Sequence, residues 1–172
     1  MFQHLSGNNL RQVLGNEKGV SLIEILIVIS IIALTLTSLL GITSFSLSAM
    51  NLTKQTYKAN TVAQELIEQA RSFRDSTSWS TDGLGILTTS TDYYIQKSGS
   101  PEKWQFVKGT ETIDGFTKKI VFESVKRDGA DNIVEIGGTL DSNTKKVIVT
   151  VSWQEKNKTR QVELITYLTN WR

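Results

Sequence analysis

The sequence predicts an α+β protein: a long N-terminal helix, membrane-spanning in its first half, with an antiparallel β-sheet head packed on its second half. Three observations carry this. The run from Ile25 to Thr53 has no charge and is mostly apolar, which exceeds the roughly 20 residues a bilayer core needs. No proline interrupts residues 20–75. Near the C-terminus, Val147, Val149, Val151 and Trp153 alternate with Ile148, Thr150, Ser152 and Gln154, the period of a half-buried strand. The expected organisation is a leader over 1–19, a transmembrane and assembly half-helix over 20–50, an amphipathic half-helix over 51–75, and a loop-rich region with a β head over 76–172.

Residues 1–19 read as a leader. They include His4, Arg11 and Lys18, are mostly polar, and hold no apolar stretch of their own. An ordinary secretory signal places its cleavage site after the apolar region. Ser46-Leu47-Ser48 is only a weak match to such a site, and the run before it is too long for a signal core. Arg11 and Lys18 favour a cytoplasmic N-terminus and an exported C-terminal domain.

Between Ile25 and Ile42 the chain is Leu, Ile and Val, with Ser30, Thr35, Thr37 and Ser38 interspersed. Hydroxyls can bond back to helix carbonyls, so lipid tolerates them, and they permit close approach of neighbouring helices. The apolar pattern then narrows to a stripe: Ala59, Val62, Ala63, Leu66, Ile67, Ala70 and Phe73 recur at three- and four-residue steps. Lys58, Gln64, Glu65, Glu68, Gln69 and Arg71 fall largely off it. A continuous helix over 20–75 would be about 80 Å long.

Glu24 is the odd residue. It lies just inside the apolar run, and a charge at mid-bilayer costs about 3 kcal/mol on insertion scales. Either it snorkels to the headgroups or something pairs with it.

The stretch Gly19-Val20-Ser21-Leu22-Ile23-Glu24-Ile25-Leu26-Ile27, with Lys18 before it, resembles the processing and assembly signature of type IV pilins and type II secretion pseudopilins. The resemblance covers roughly residues 15–75. It implies cleavage between Gly19 and Val20 by prepilin peptidase, N-methylation of Val20, and packing of the helices into a filament with Glu24 as an assembly contact. The amine freed on Val20 would lie one helical turn from Glu24, in the same subunit or a neighbour. Val20 stands where phenylalanine is usual, and Gly41 where many pilins carry a helix-bending proline. The run from Ala63 to Asp75, with Val149–Trp153 and Leu168–Trp171, resembles minor pilins of the pilus-modification type and related minor pseudopilins. The implied function is a structural, minor subunit of a type IV pilus or related filament. Alternatives are a secretion pseudopilin, a tip adhesin and a tethered binding module. Expected partners are prepilin peptidase, other pilin subunits, the pilus assembly machinery and, before assembly, inner-membrane lipid.

After Asp75 the chain turns to Ser, Thr, Gly and Asp, with short apolar patches at Tyr93–Ile95 and Trp104–Val107. Strand-like runs follow at 116–125, 132–136, 146–154 and 160–168. Turns are expected at Asp128–Asp131, Asp141–Thr144 and Glu155–Lys158. A meander over the second half of the helix hides both apolar surfaces.

Other chemistries find little support. The chain has no cysteine, which excludes thiol catalysis and Cys-based metal sites. Its one histidine, His4, lies in the leader, and no Gly-rich phosphate loop opens a helix. An enzyme is not expected, nor a cofactor or metal. Asp128, Asp131 and Asn132 offer oxygens, as some pseudopilins do for calcium, but their spacing is not an EF-hand loop. Net charge is +2, and the lysines of the C-terminal half are interspersed with Glu123, Asp128 and Glu155. Such a pattern suits a solvated sheet edge, so DNA is not expected as a partner.

Overall fold

A computed structural model describes residues 21–171. One helix, α1, runs from Leu22 to Ser76 and continues through Gly41 without a break. The chain divides into two compact units, with the boundary between Ala49 and Met50. In the first, the described residues from Leu22 onwards are all helical, and every one is exposed.

The second unit begins with the rest of α1 and ends in an antiparallel sheet, as the sequence predicts. A 3-10 turn at Leu84–Ile86 precedes seven strands. These are β1 (Asp92–Ser98), β2 (Lys103–Lys108), β3 (Glu111–Ile113), β4 (Phe116–Arg127), β5 (Ile133–Val134), β6 (Thr139–Glu155) and β7 (Lys158–Thr169). The sheet order is β2-β1-β4-β6-β7, with β3 and β5 also paired to β4. Ile120 lies opposite Val149, and Val149 opposite Leu164, so one row of apolar side chains crosses the middle of the sheet.

The helical stripe closes over this row. Ala59, Ala63, Leu66, Ala70 and Phe73 are buried, and Val62 and Ile67 are half-buried against the same cluster. On the sheet, Ile120, Phe122, Val147, Val149 and Val151 are fully buried. Aromatic rings link helix to sheet edge-on: Phe73–Phe106 at 4.9 Å, Phe106–Phe122 at 5.0 Å and Tyr93–Phe122 at 5.8 Å between centroids. Such contacts add to area burial by about 0.5–1.5 kcal/mol each.

Besides β5, which covers only Ile133–Val134 of the expected 132–136 run, two features depart from the sequence-based expectation. Asp141–Thr144 is not a turn between strands. It is an irregularity inside β6: Ser124 pairs with Lys145, but Val125 pairs with Asp141. The Asx chemistry that suggests a turn is present, since Asn143 N donates to Asp141 Oδ1 at 2.8 Å. Long-range bonds hold the bulge in the sheet. Arg127 Nε donates to Asp141 Oδ2 at 2.8 Å, Trp79 Nε1 to the Ser142 carbonyl at 3.0 Å, and Asn170 N to the Asn143 carbonyl at 2.7 Å. The second departure is that the loop after α1 contributes core: Trp79 and Leu84 are buried in the main cluster. Gly85 permits this, because a Cβ there would lie 2.5 Å from the Trp79 carbonyl oxygen.

Candidate functional site: an exposed apolar helix with one carboxylate

The helix start is set locally. Ser21 precedes α1, and its carbonyl accepts from Glu24 N at 2.8 Å and Ile25 N at 3.2 Å. Glu24 occupies the first turn of α1, where a negative charge complements the helix dipole. Its side chain is exposed, and it is the one charged residue between Ser21 and Thr53. The peptide-bond partners Gly19 and Val20 lie outside the described residues.

From Leu22 to Met50 the large apolar side chains point away from any core of this chain, Leu22 being 80% exposed and Leu40 70% exposed. The segment is long and apolar enough to cross a membrane. A soluble surface cannot carry such a face without a covering, because contiguous apolar patches of this extent mark interaction surfaces. Five hydroxyls between Ser30 and Thr43 are satisfied by carbonyls of the same helix. Ser30 Oγ donates to the Leu26 carbonyl at 2.7 Å, Thr35 Oγ1 to Ile32 at 2.8 Å, and Ser38 Oγ to Leu34 at 2.8 Å. Thr37 and Thr43 do the same, to Ala33 at 3.0 Å and Leu39 at 2.9 Å. Glu24 is the charged group of the segment, and no described residue of the segment carries an opposite charge for it.

The head shows a different chemistry. Several basic residues of the C-terminal half form ion pairs along the sheet: Lys118–Glu111 at 2.9 Å, Lys119–Asp92 at 3.0 Å, Lys146–Glu123 at 3.3 Å and Arg160–Glu155 at 3.0 Å. The hydrogen bond to Glu123 raises the Lys146 ammonium above its ordinary range. Trp153, near these cations in sequence, is buried against Phe116 and offers no stacking face. Asp128 spends its oxygens on its own turn, accepting from Ala130 N and Asn132 N at 2.9 Å each. Bonds from Asn132 hold this carboxyl below the usual carboxylate range. Among the described residues no cluster of three or more His, Cys, Asp or Glu could hold a metal ion. A polar cavity of about 440 Å³ lined by Arg74, Trp79, Asn170 and Trp171 contains no nucleophile–base pair. Two residues the sequence did not single out, Lys103 and Glu163, stand on the two edge strands of the sheet; the signal that finds them is strand alternation.

No curated protein and no solved structure matches the chain. Residues 14–40 match the family model described as a prokaryotic N-terminal methylation motif. The matched span takes in Gly19, Val20, Glu24 and the first half of the exposed apolar helix, so the chain carries the type IV pilin and pseudopilin signature on the segment whose surface this chain leaves uncovered.

Proposed function

We propose that this chain is a minor structural subunit of a type IV pilus or related filament. It is made as a precursor and anchored in the inner membrane by α1 with its N-terminus cytoplasmic. Prepilin peptidase cuts it between Gly19 and Val20 and methylates Val20. The assembly machinery then draws the helix from lipid into a bundle of like helices, where Glu24 meets the amine of a Val20. The observation that carries this reading is an apolar helical surface exposed from Leu22 to Met50, with a single carboxylate in its first turn, overlapping a methylation motif over residues 14–40. Lipid and neighbouring helices can each cover such a surface, which a subunit that leaves the membrane for a filament requires.

The test is co-expression with a prepilin peptidase and the intact mass of the membrane-extracted product. A chain beginning at Val20 with one added methyl is expected. An uncut chain, with the peptidase active on another substrate, sinks the proposal. The share of this chain in sheared filaments decides the minor assignment: a majority share would make it the principal subunit.

A further inference from the structure

The sheet has two open edges. β2 pairs only with β1, and β7 only with β6. Each therefore presents a row of backbone donors and acceptors with no strand beside it among the described residues, a template for further pairing.

The two edges match in direction. The pairings β2–β1, β1–β4, β4–β6 and β6–β7 are all antiparallel, so four reversals leave β2 and β7 running the same way. A second copy set beside the first in the same orientation would bring its β2 edge alongside β7 as a parallel neighbour. Such a contact is heterologous, joining unlike surfaces, and repeats without closing on itself unless the rotation makes a ring.

The edges also match in charge. Leu164 and Trp104 pack towards the core, so the odd-numbered residues of both strands stand on the outward face. On β7 these include Gln161, Glu163, Ile165 and Tyr167, with one acid and no base; on β2 they are Lys103, Gln105 and Val107, with one base and no acid. Glu163 and Lys103 are exposed, and neither forms an ion pair with a described residue, unlike Lys118, Lys119 and Lys146 on the inner strands. Sheet continuity pairs outward residues with outward residues, so Lys103 is the one lysine of β2 that Glu163 can meet. With that pair in register, Ile165 falls beside Gln105 and Tyr167 beside Val107, covering two side chains that are 50% and 44% exposed. Pairing β7 with another β7 gains no such contact, because its own cations, Lys158 and Arg160, lie on the opposite face. A lone lysine on an edge discourages pairing, and a facing carboxylate removes the objection.

We infer that the occupant of the β7 edge is the β2 edge of a second copy of this chain, joined in parallel with Glu163 beside Lys103. A second copy fits this edge because its β2 matches β7 in both direction and charge. The inference rests on the filament reading, in which subunits share one orientation, and it requires copies of this minor subunit to stand side by side.

The absence of cysteine makes the test clean. The full-length chain carrying both Lys103→Cys and Glu163→Cys is co-expressed with prepilin peptidase, oxidised mildly in the membrane and filament fractions, and run without reductant. Adjacent strands place Cα atoms within disulfide reach. A ladder of dimers and larger multimers is expected, and neither single variant should cross-link alone. In a second arm, a chemical cross-linker joining amine to carboxylate is applied to the native chain. Glu163→Lys or Lys103→Glu should lower the linked fraction roughly fivefold, and the double charge swap should restore it. Filaments without a ladder overturn the edge pairing, as does a dimer from Glu163→Cys alone, which would mean a two-fold β7 contact. An uncut chain that still gives the ladder would sink the filament reading and leave the pairing standing; an uncut chain without it would overturn both.

Discussion

Glu24→Gln is the perturbation that separates a filament subunit from a tethered domain. Among the described residues up to Ala49, Glu24 is the one charged group, so whatever neutralises it comes from beyond them: a free amine, another subunit or a lipid headgroup. An opposite charge about 4 Å away contributes roughly 4 kcal/mol of attraction at an effective dielectric constant near 20. Part of that offsets the partner's own desolvation, and hydrogen bonds to charged groups net about 1.5–3 kcal/mol. At about 1.4 kcal/mol per tenfold, losing the pair should lower filament incorporation by about 10- to 100-fold. Membrane insertion should not suffer, since a neutral amide is easier to hold in the segment than a carboxylate. The backbone bond from residue 24 to the Ser21 carbonyl survives the change, so the helix start stays intact. The assay compares immunoblots of sheared filaments and membranes, with intact mass confirming that cleavage and methylation persist. Glu24→Asp keeps the charge on a shorter arm and should fall between. Native incorporation of the Gln variant would refute the reasoning and return Glu24 to the role of an acid resting at the headgroups.

The remaining expectations concern the head. Phe122 is fully buried between Tyr93 and Phe106, so Phe122→Ala should cost about 3–5 kcal/mol; a thermal melt within a few degrees of the native one would show that the ring cluster is not the centre of the core. The Asp141 carboxyl is held below its ordinary range, chiefly by the hydrogen bond from Arg127 and also by Thr144. A depressed folded pKa means its stabilisation is complete above the ordinary carboxylate range and is lost as pH falls through the folded value. Asp141→Asn should therefore lower stability at neutral pH, and its deficit against the native chain should shrink in acid; a deficit independent of pH would assign the effect to the shape of the bulge and not to the charge.

How much of the fold was legible follows from which interactions are local. The helix announced itself through composition and an unbroken run without proline, and its stripe through spacing, because each helical residue meets its neighbours three and four positions away. β6 and β7 were legible wherever one face is buried, since alternation then has a physical cause. The bulge at Asp141–Thr144 was not. Its residues are those of a turn, and only Arg127, Trp79 and Asn170, brought in from elsewhere in the chain, keep them in the sheet. Trp79 and Leu84 were missed for the same reason. They sit among Ser, Thr, Asp and Gly with no period around them, and their burial depends on a glycine that lets the loop turn back onto the indole.

The candidate site behaves in the opposite way. Its residues are contiguous, and what marks them is a conflict in the sequence: a surface too apolar for water carrying an acid too polar for lipid. Folding the chain resolves neither half of that conflict, because α1 leaves both the apolar side chains and Glu24 exposed. A structural error of this size in an ordinary soluble protein would be an aggregation liability. It ceases to be an error if the covering is supplied twice, first by lipid and then by other helices. In the second setting the acid would gain a partner that lipid cannot supply at a fixed depth. An ion pair in an apolar bundle is worth most where its geometry is met and leaves a costly unpaired charge where it is not. One carboxylate per helix can therefore specify axial position, whereas the Leu, Ile and Val around it, interchangeable at nearly any sliding offset, supply cohesion without register.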